Sequence, residues 1–595
     1  MTSAALEPDD LNDRTLRDRA VAAARGDAPF DLLIVNGDML SSATGEIRKA
    51  DIGITGPMIA SVHAPASRTD AAEVIDATGK ILTAGLIDAH MHVESSMITP
   101  ATYAETILPR GVTTVVWDPH EFGNVHGLAG VDWAVEATSS LPMRFIVLAP
   151  SCVPSAPGFE CAGAAFGGTE MEAMLANPGI GGVAEVMNMA GVVSRDALMT
   201  DIVQAGLASR KPVFGHARGL SGRDLNAFMA AGVTSDHELT SAEDFLEKLR
   251  AGLTIEIRGS HDHLLPEIVE ALNRIGHLPP TVTLCTDDVF PDDLDRNGGL
   301  DDVIRRLVRY GMPPVWAIRA ATLNAAMRLG RSDLGLIAAG RRADLAAFDN
   351  LQSLKADFVI GNGEVVARNN RLNSPPHRIK TDLLENSVKA PQFKPDDFRI
   401  KSRGNRVRVA TIDRPRFTRW RETETEVRDG HVVPPEGATL IGVCHRHGRL
   451  PAEMKVGYLT EWGAWDGAVC TTVSHDSHNL TVFGGNEADM ALAANTVCAM
   501  GGGLAVVSGG VVLASLPLPL SGLVSEAPIA DVGAGFTAIK QAMDKVVAWQ
   551  PPYLVFKACF GATLACNAGP HQTDLGLSDL TLDGPLESPI LEVTG

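Results

Sequence analysis

A chain of 595 residues is too long for one ordinary hydrophobic core and calls for two or more domains. Its 45% hydrophobic and 21% charged content describes a soluble globular protein, not a disordered one. A formal net charge of −21 argues against a nucleic-acid or anionic-membrane surface, which needs clustered Lys and Arg, and suits a small neutral or cationic substrate.

Residues 1–29 read as an acidic, polar N-terminal extension without the apolar core of a signal peptide. Residues 30–84 read as short strands (DLLIVNGDML, ADIGITGPMIASV, AEVIDATGKILTA) with Gly and Asn turns. Residues 335–375 repeat that character (GLIAAGRRADLAAFD, ADFVIGNGEVVA), so the two flanks are expected to build one small β-sandwich domain. Between them, residues 85–334 alternate apolar runs with amphipathic stretches such as TPATYAETILPR and SRDALMTDIVQAGLASR. The runs are LIDAH, VTTVVWDPH, RFIVLAPS, GGVAEVMN, PVFGHARG, VTSDHE, LTIEIRGS and TVTLCTDD. Eight of them predict an α/β fold of the (β/α)₈ TIM-like barrel type, although a doubly wound open sheet alternates in the same way. Pro375-Pro376 opens a polar linker to about residue 405, and residues 406–595 are long enough for a C-terminal α/β domain. The apolar region from Met500 to Leu523 is broken at Ser508-Gly509-Gly510 and reads as two buried strands joined by a turn, not a membrane span. Eight cysteines without a Cys-x-x-Cys pair read as buried thiols in a reducing cytoplasm.

Polar residues fall at the C-terminal edges of the runs: His90 and His92, Asp118 with His120 and Glu121, Glu185, His216, His237, and Asp287 with Asp288. In a barrel these edges form one face. His90 and His92 project from the same side of an extended strand, because side chains alternate with period two, and suit one metal ion. Such a pair alone is more often a surface or core feature; the later strand-end residues are what point to metal. For Glu185 the rival is a solvated carboxylate at a helix start; for Asp287 it is helix N-capping, with Asp288 as the other candidate cap. Asp118 before Pro119 also suits a turn, while His120 and Glu121 are placed to contact metal, substrate or a neighbour.

The residues GLIDAHMHVES, FGHARG, SDHELT and TDD resemble the amidohydrolase superfamily of metal-dependent barrel hydrolases. More narrowly, AHMHVESSM, VVWDPHEFGNV, VAEVMN, CTDD, SHDSHN and GGN look like the bacterial adenine deaminases within it. That resemblance implies two divalent ions, one on His90 and His92 and one on His216 and His237, with Asp287 completing the first site. Many relatives bridge their metals with a carbamylated lysine on the fourth strand; Glu185 stands there instead and is assigned as the bridge. Mn²⁺ or Fe²⁺ is favoured and Zn²⁺ is compatible. The implied reaction, part of purine salvage, has a metal-bridged hydroxide attack C6 of adenine, giving hypoxanthine and ammonia. Asp287 would accept the proton and Glu121 would donate one to the ring nitrogen, with Asp118 and His120 as further catalytic groups. Cytoplasmic location and a homodimer are expected, with no nucleic-acid or membrane partner. The alternatives are hydrolysis of a cyclic amide or N-acetyl group at the same centre, which the missing lysine in VAEVMN weakens, and a silent scaffold, which predicts lost ligands. A cytidine-deaminase type lacks its P-C-x-x-C element here. His261 and His263 read as a solvated loop and His445 and His447 as a polar strand face or interface. The SHDSHN segment, with His475, Asp476 and His478, reads as a cover for the barrel mouth, a further ion site or a plain turn.

Overall fold

The computed structural model describes residues 9–415, 417–549 and 555–594; the first eight residues of the N-terminal extension, and residues 416, 550–554 and 595 of the C-terminal part, lie outside the described residues. The eight apolar runs all become strands: β1 (Leu86–Met91), β2 (Val112–Trp117), β3 (Arg144–Ala149), β4 (Ile180–Val186), β5 (Val213–Gly215), β6 (Ser235–Asp236), β7 (Thr254–Arg258) and β8 (Val282–Cys285). β1, β2 and β4 are buried at every position, as parallel strands covered by helices must be. β1 to β5 form one parallel sheet and β6 to β8 a second. Two seams join them. At one, the Asp287 amide donates to the His90 carbonyl at 3.0 Å, and buried Asp88 accepts from the amide and hydroxyl of Thr286 at 3.0 and 2.6 Å. At the other, the Thr234 amide donates to the Val213 carbonyl at 3.3 Å. The strands therefore close on themselves, which excludes the open doubly wound sheet.

Both flanks of the barrel share one small β structure. Leu345–Phe348 pairs antiparallel with Ile81–Ala84 in a seven-stranded sheet, and Phe30–Val35 lies in a four-stranded one. Leu32, Ile52, Ile54, Leu82, Leu345 and Phe358 interleave between the two sheets as a common core. The helix Arg14–Arg25, capped by Asp13, packs Leu16, Ala20 and Ala23 against Phe30, Leu33 and Met58. The stretch after Pro375-Pro376 carries little regular structure but is tied down: Arg378 bonds Glu105 at 2.6 Å and the Lys389 amide bonds the Arg446 carbonyl at 2.8 Å.

The C-terminal part is a ten-stranded sheet with Thr439–Cys444 near its centre and the helices Glu487–Ala499 and Ile529–Val546 packed on it. Ile529–Val546 also docks on the barrel, where Phe536 stacks on Phe290 at 5.3 Å and Lys540 bonds Asp292 at 2.8 Å. The apolar stretch from Met500 does form two strands about Gly509-Gly510, but only Gly503–Ser508 is buried. Val511–Pro517 is the sheet edge, and Val511, Val512 and Leu513 stay exposed because no further strand among the described residues flanks it. Among the described residues no helix is long and apolar enough to cross a membrane.

One buried ion pair fixes the strand ends that matter most. Lys248, on the helix Ala242–Ala251, reaches Asp236 and Asp244 at 2.9 Å each and is fully buried. Asp236 in turn accepts the amides of Ala217 and Glu238 at 2.7 and 3.0 Å, setting the backbone beside His216 and His237. Lys248→Met strands the Asp236 charge and should lower stability by about 3–5 kcal/mol. A urea melt checks this; an unchanged midpoint would show that the pair does not anchor the strand ends.

Candidate metal centre

Period-two alternation puts the His90 and His92 rings side by side, centroids 4.8 Å apart and nearly perpendicular, while Met91 turns into the apolar core. The His92 ring is held by an Nδ1 contact of 3.0 Å to the Asp118 carbonyl oxygen. That contact places the proton on Nδ1 and leaves the Nε2 lone pair facing inward. Glu185, second from the end of β4, sits between two histidine pairs. Its Oε1 lies 3.7 Å from His90 Nε2 and 3.4 Å from His92 Nε2; its Oε2 lies 2.7 Å from His216 Nδ1 and 3.1 Å from His237 Nε2. Asp287 Oδ1 stands 3.4 Å from both His90 Nε2 and His92 Nε2, and 3.9 Å from His237 Nε2. Its backbone takes a left-handed φ of 59°, a strained setting for a non-glycine residue that the β1–β8 seam holds in place. Neither rival reading survives: Glu185 is 4% exposed inside a strand, and the helix Pro291–Asn297 is capped by Phe290, not by Asp287 or Asp288.

Six buried titratable groups at one point have to neutralise each other. Burial pushes Glu185 up, but His237 and the close imidazoles of His216 and His90 outweigh it and hold the carboxyl well below its usual range. Asp287 behaves likewise, with Arg258 as the largest opposing influence, then His90 and His92. Burial lowers the imidazoles, yet Asp287 and Glu185 raise His90 to about 9 and His92 well above its ordinary value. The carboxylates thus demand positive charge among the imidazoles. Divalent cations suit the same donors, because His90 has no hydrogen-bond partner on either ring nitrogen. The imidazole and carboxylate donor set therefore fits two ions sharing Glu185.

Beside this cluster, Asp118 Oδ1 accepts the His120 amide and Oδ2 holds His120 Nδ1, each at 3.1 Å; this is the turn at Pro119 and a fixed orientation for the His120 ring at once. His120 Nδ1 is 3.9 Å from Glu185 Oε1. Glu121 is 1% exposed, and burial raises its carboxyl despite His475, His120 and His92. Ser95 Oγ donates to Asp288 at 2.6 Å and reaches Glu121 Oε1 at 3.3 Å. The SHDSHN segment does cover the mouth: His475 Nδ1 lies 3.8 Å from Glu121 Oε1 and Asp476 Oδ1 lies 3.9 Å from His120 Nε2. His261 and His263 stay in the turn after β7, outside the cluster. His445 and His447 are buried in the C-terminal part, bonded to Asp574 at 3.2 Å and to the Ser477 carbonyl at 2.8 Å.

Sequence reasoning missed Arg258. It ends β7, contacts Asp287 and Glu238 closely and reaches Asp288 Oδ2 at 3.1 Å. The strand-end rule that found His216 and His237 also marks it, since LTIEIRGS places Arg258 at the same edge. Glu238, held to Arg218 at 2.6 Å, belongs to the same charge network.

Residues 81–367 match the model of the amidohydrolase family and residues 415–582 that of the adenine deaminase C-terminal domain. The chain is 66% identical to adenine deaminase 2 of Rhizobium johnstonii, over 99% of each chain. It is 53% identical to adenine deaminase of Klebsiella pneumoniae, over 95% of this chain and 94% of that one. A more distant relative, adenine deaminase of Methanothrix thermoacetophila, is 39% identical over 86% of this chain and 89% of the relative.

Because Glu185 faces one histidine pair with each of its oxygens, Glu185→Gln should lower the metal content of protein purified from metal-supplemented cells by at least half, with the thermal melt still cooperative. Elemental analysis reads this, and full metal content in the variant would remove Glu185 as the shared ligand.

Proposed function

The chain belongs to the adenine deaminases of the amidohydrolase family, and on that premise we propose that it hydrolyses adenine to hypoxanthine and ammonia at the centre around Glu185. The observation that carries this reading is the division of one carboxylate between His90 and His92 on one oxygen and His216 and His237 on the other. Bound there, two divalent cations, Mn²⁺ or Fe²⁺ by preference and Zn²⁺ as a compatible third choice, acidify water so that a nucleophile for C6 is available near neutral pH.

The protein's own groups do the rest. Asp287, ionised and facing His90 and His92, takes the proton of the attacking water and returns it to the amino nitrogen as it leaves. Glu121, whose hold on a proton burial strengthens, donates to the ring nitrogen next to C6, so that negative charge does not accumulate on the ring. The proton left on the new C6 oxygen restores Glu121 as the carbonyl forms. Asp118 holds the His120 ring so that Nε2 faces the space beside Glu121, and Arg258 steadies Asp287. Burial of the cluster keeps bulk water away, which strengthens each of these interactions.

Hydrolysis of a cyclic amide or N-acetyl group is the weaker reading, since the relatives named for adenine match this chain nearly end to end and its C-terminal part as well. Free cysteines throughout support a reducing, cytoplasmic setting, where the reaction serves purine salvage. The exposed apolar edge at Val511, Val512 and Leu513 supports a homodimer.

Metal-loaded protein should release ammonia from adenine and leave a cyclic amide intact; turnover of the amide alone would overturn the assignment. Glu121→Gln should cut kcat roughly 100- to 10,000-fold with metal content unchanged, the loss expected for a missing general acid. Coupled ammonia assay and elemental analysis on the same sample check both; wild-type kcat in the variant would remove Glu121 as the proton donor.

A further inference from the structure

A second constellation stands next to the first and straddles two parts of the chain. The barrel supplies His120 and Glu121 from the start of the helix His120–His126. The C-terminal sheet supplies His475 and Asp476 from the connection between Ala468–Thr471 and Leu480–Gly484. Donor atoms of His120, Glu121 and His475 lie within 4.8 Å of one another. Asp476 Oδ1 is 3.5 Å from His475 Nδ1 and 3.9 Å from His120 Nε2, and His475 Nδ1 is 3.8 Å from Glu121 Oε1. A tetrahedral cation with bonds of about 2.0–2.2 Å holds its donors roughly 3.4 Å apart. The separations of 3.5, 3.8 and 3.9 Å stand at or somewhat beyond that spacing, as do the 3.4 and 3.7 Å pairs around Glu185 Oε1.

Two further observations mark a ligand site instead of a closed ion-pair network. His120 Nε2 and Asp476 Oδ2 are both buried and have no hydrogen-bond partner, on residues 4% and 2% exposed. Burying such groups unsatisfied is unfavourable, and a ligand between them removes that penalty. Asp118, on His120 Nδ1 at 3.1 Å, fixes the tautomer that aims the Nε2 lone pair inward, the carboxylate–histidine arrangement that orients metal ligands. The segment carrying Asp476 is itself held firmly: the Arg446 guanidinium donates to the His478 carbonyl, and the Asn479 side-chain Nδ2 donates to the Cys161 carbonyl at 2.8 Å. His475, 18% exposed at its side chain, leaves a way in from solvent.

We propose that His120, Glu121, His475 and Asp476 bind a third divalent cation, shared between the barrel and the C-terminal part, and that this cation excludes adenine. Occupation ties up Glu121, the proton donor, and fills the space beside C6, so excess metal inhibits the enzyme that needs metal to work. The binding stands on this geometry alone; the competition with adenine rests on the reading of the centre as an adenine deaminase.

The test titrates holoenzyme carrying its two tight equivalents with Zn²⁺, following bound zinc by equilibrium dialysis and adenine turnover in parallel. A third equivalent should bind, with KM for adenine rising as it fills and kcat at saturating adenine unchanged. Asp476→Asn and, separately, His475→Gln should each weaken the third equivalent at least about 10-fold while the first two remain. Two variants are used so that a folding failure in one leaves the other to decide. Absence of a third equivalent in the wild type, or its retention at full strength in the folded variant, overturns the site. A fall in kcat with KM unchanged places the ion elsewhere and overturns the competition. A third equivalent that both variants lose, in protein that never deaminates adenine, upholds the site and refutes the activity instead.

Discussion

One carboxylate constrains the barrel mouth. Glu185 is buried with two imidazoles on each of its oxygens, and Asp287 is buried against two of the same rings. An isolated buried carboxylate is unstable, so these acids and bases must be placed together or not at all. Much of the surrounding structure answers that demand. The β1–β8 seam sets the Asp287 backbone against His90, Asp236 and Lys248 set the strand ends beside His216 and His237, and Arg258 balances the charge of Asp287 and Asp288.

The contrast between Asp287 and Glu121 divides the acid–base work. Both are buried, yet Arg258, His90 and His92 hold Asp287 well below its usual range, whereas burial prevails at Glu121 and raises it. Glu94, just behind, is raised to about 8 by burial and by Glu121 itself, so two neighbouring acids compete for one negative charge. One carboxyl that gives up its proton readily and one that holds it more strongly are what hydrolysis at an amidine carbon requires.

The barrel was readable from the chain because a parallel strand covered by helices has to be apolar along its length, and because its functional residues cluster at one end. His90, His92, Glu185, His216, His237 and Asp287 all emerge from that rule. Arg258 obeys it too but was passed over, because a cation at a strand end does not suggest a metal ligand. What no periodicity could give is the approach of His475 and Asp476 to Glu121 and His120. That meeting joins residues far apart in sequence and depends on how the Ile529–Val546 helix and the 474–479 connection dock on the barrel. The exposure of Val511–Leu513 was illegible for a similar reason: an apolar run looks the same in the middle of a sheet and at its edge.

The shared carboxylate is also the most directly observable feature. Anomalous diffraction at the metal absorption edge, from crystals of protein loaded with Mn²⁺, should give two strong peaks on either side of Glu185. One should lie among His90, His92 and Asp287, and the other between His216 and His237. A single peak, or two peaks neither of which touches Glu185, would contradict the account.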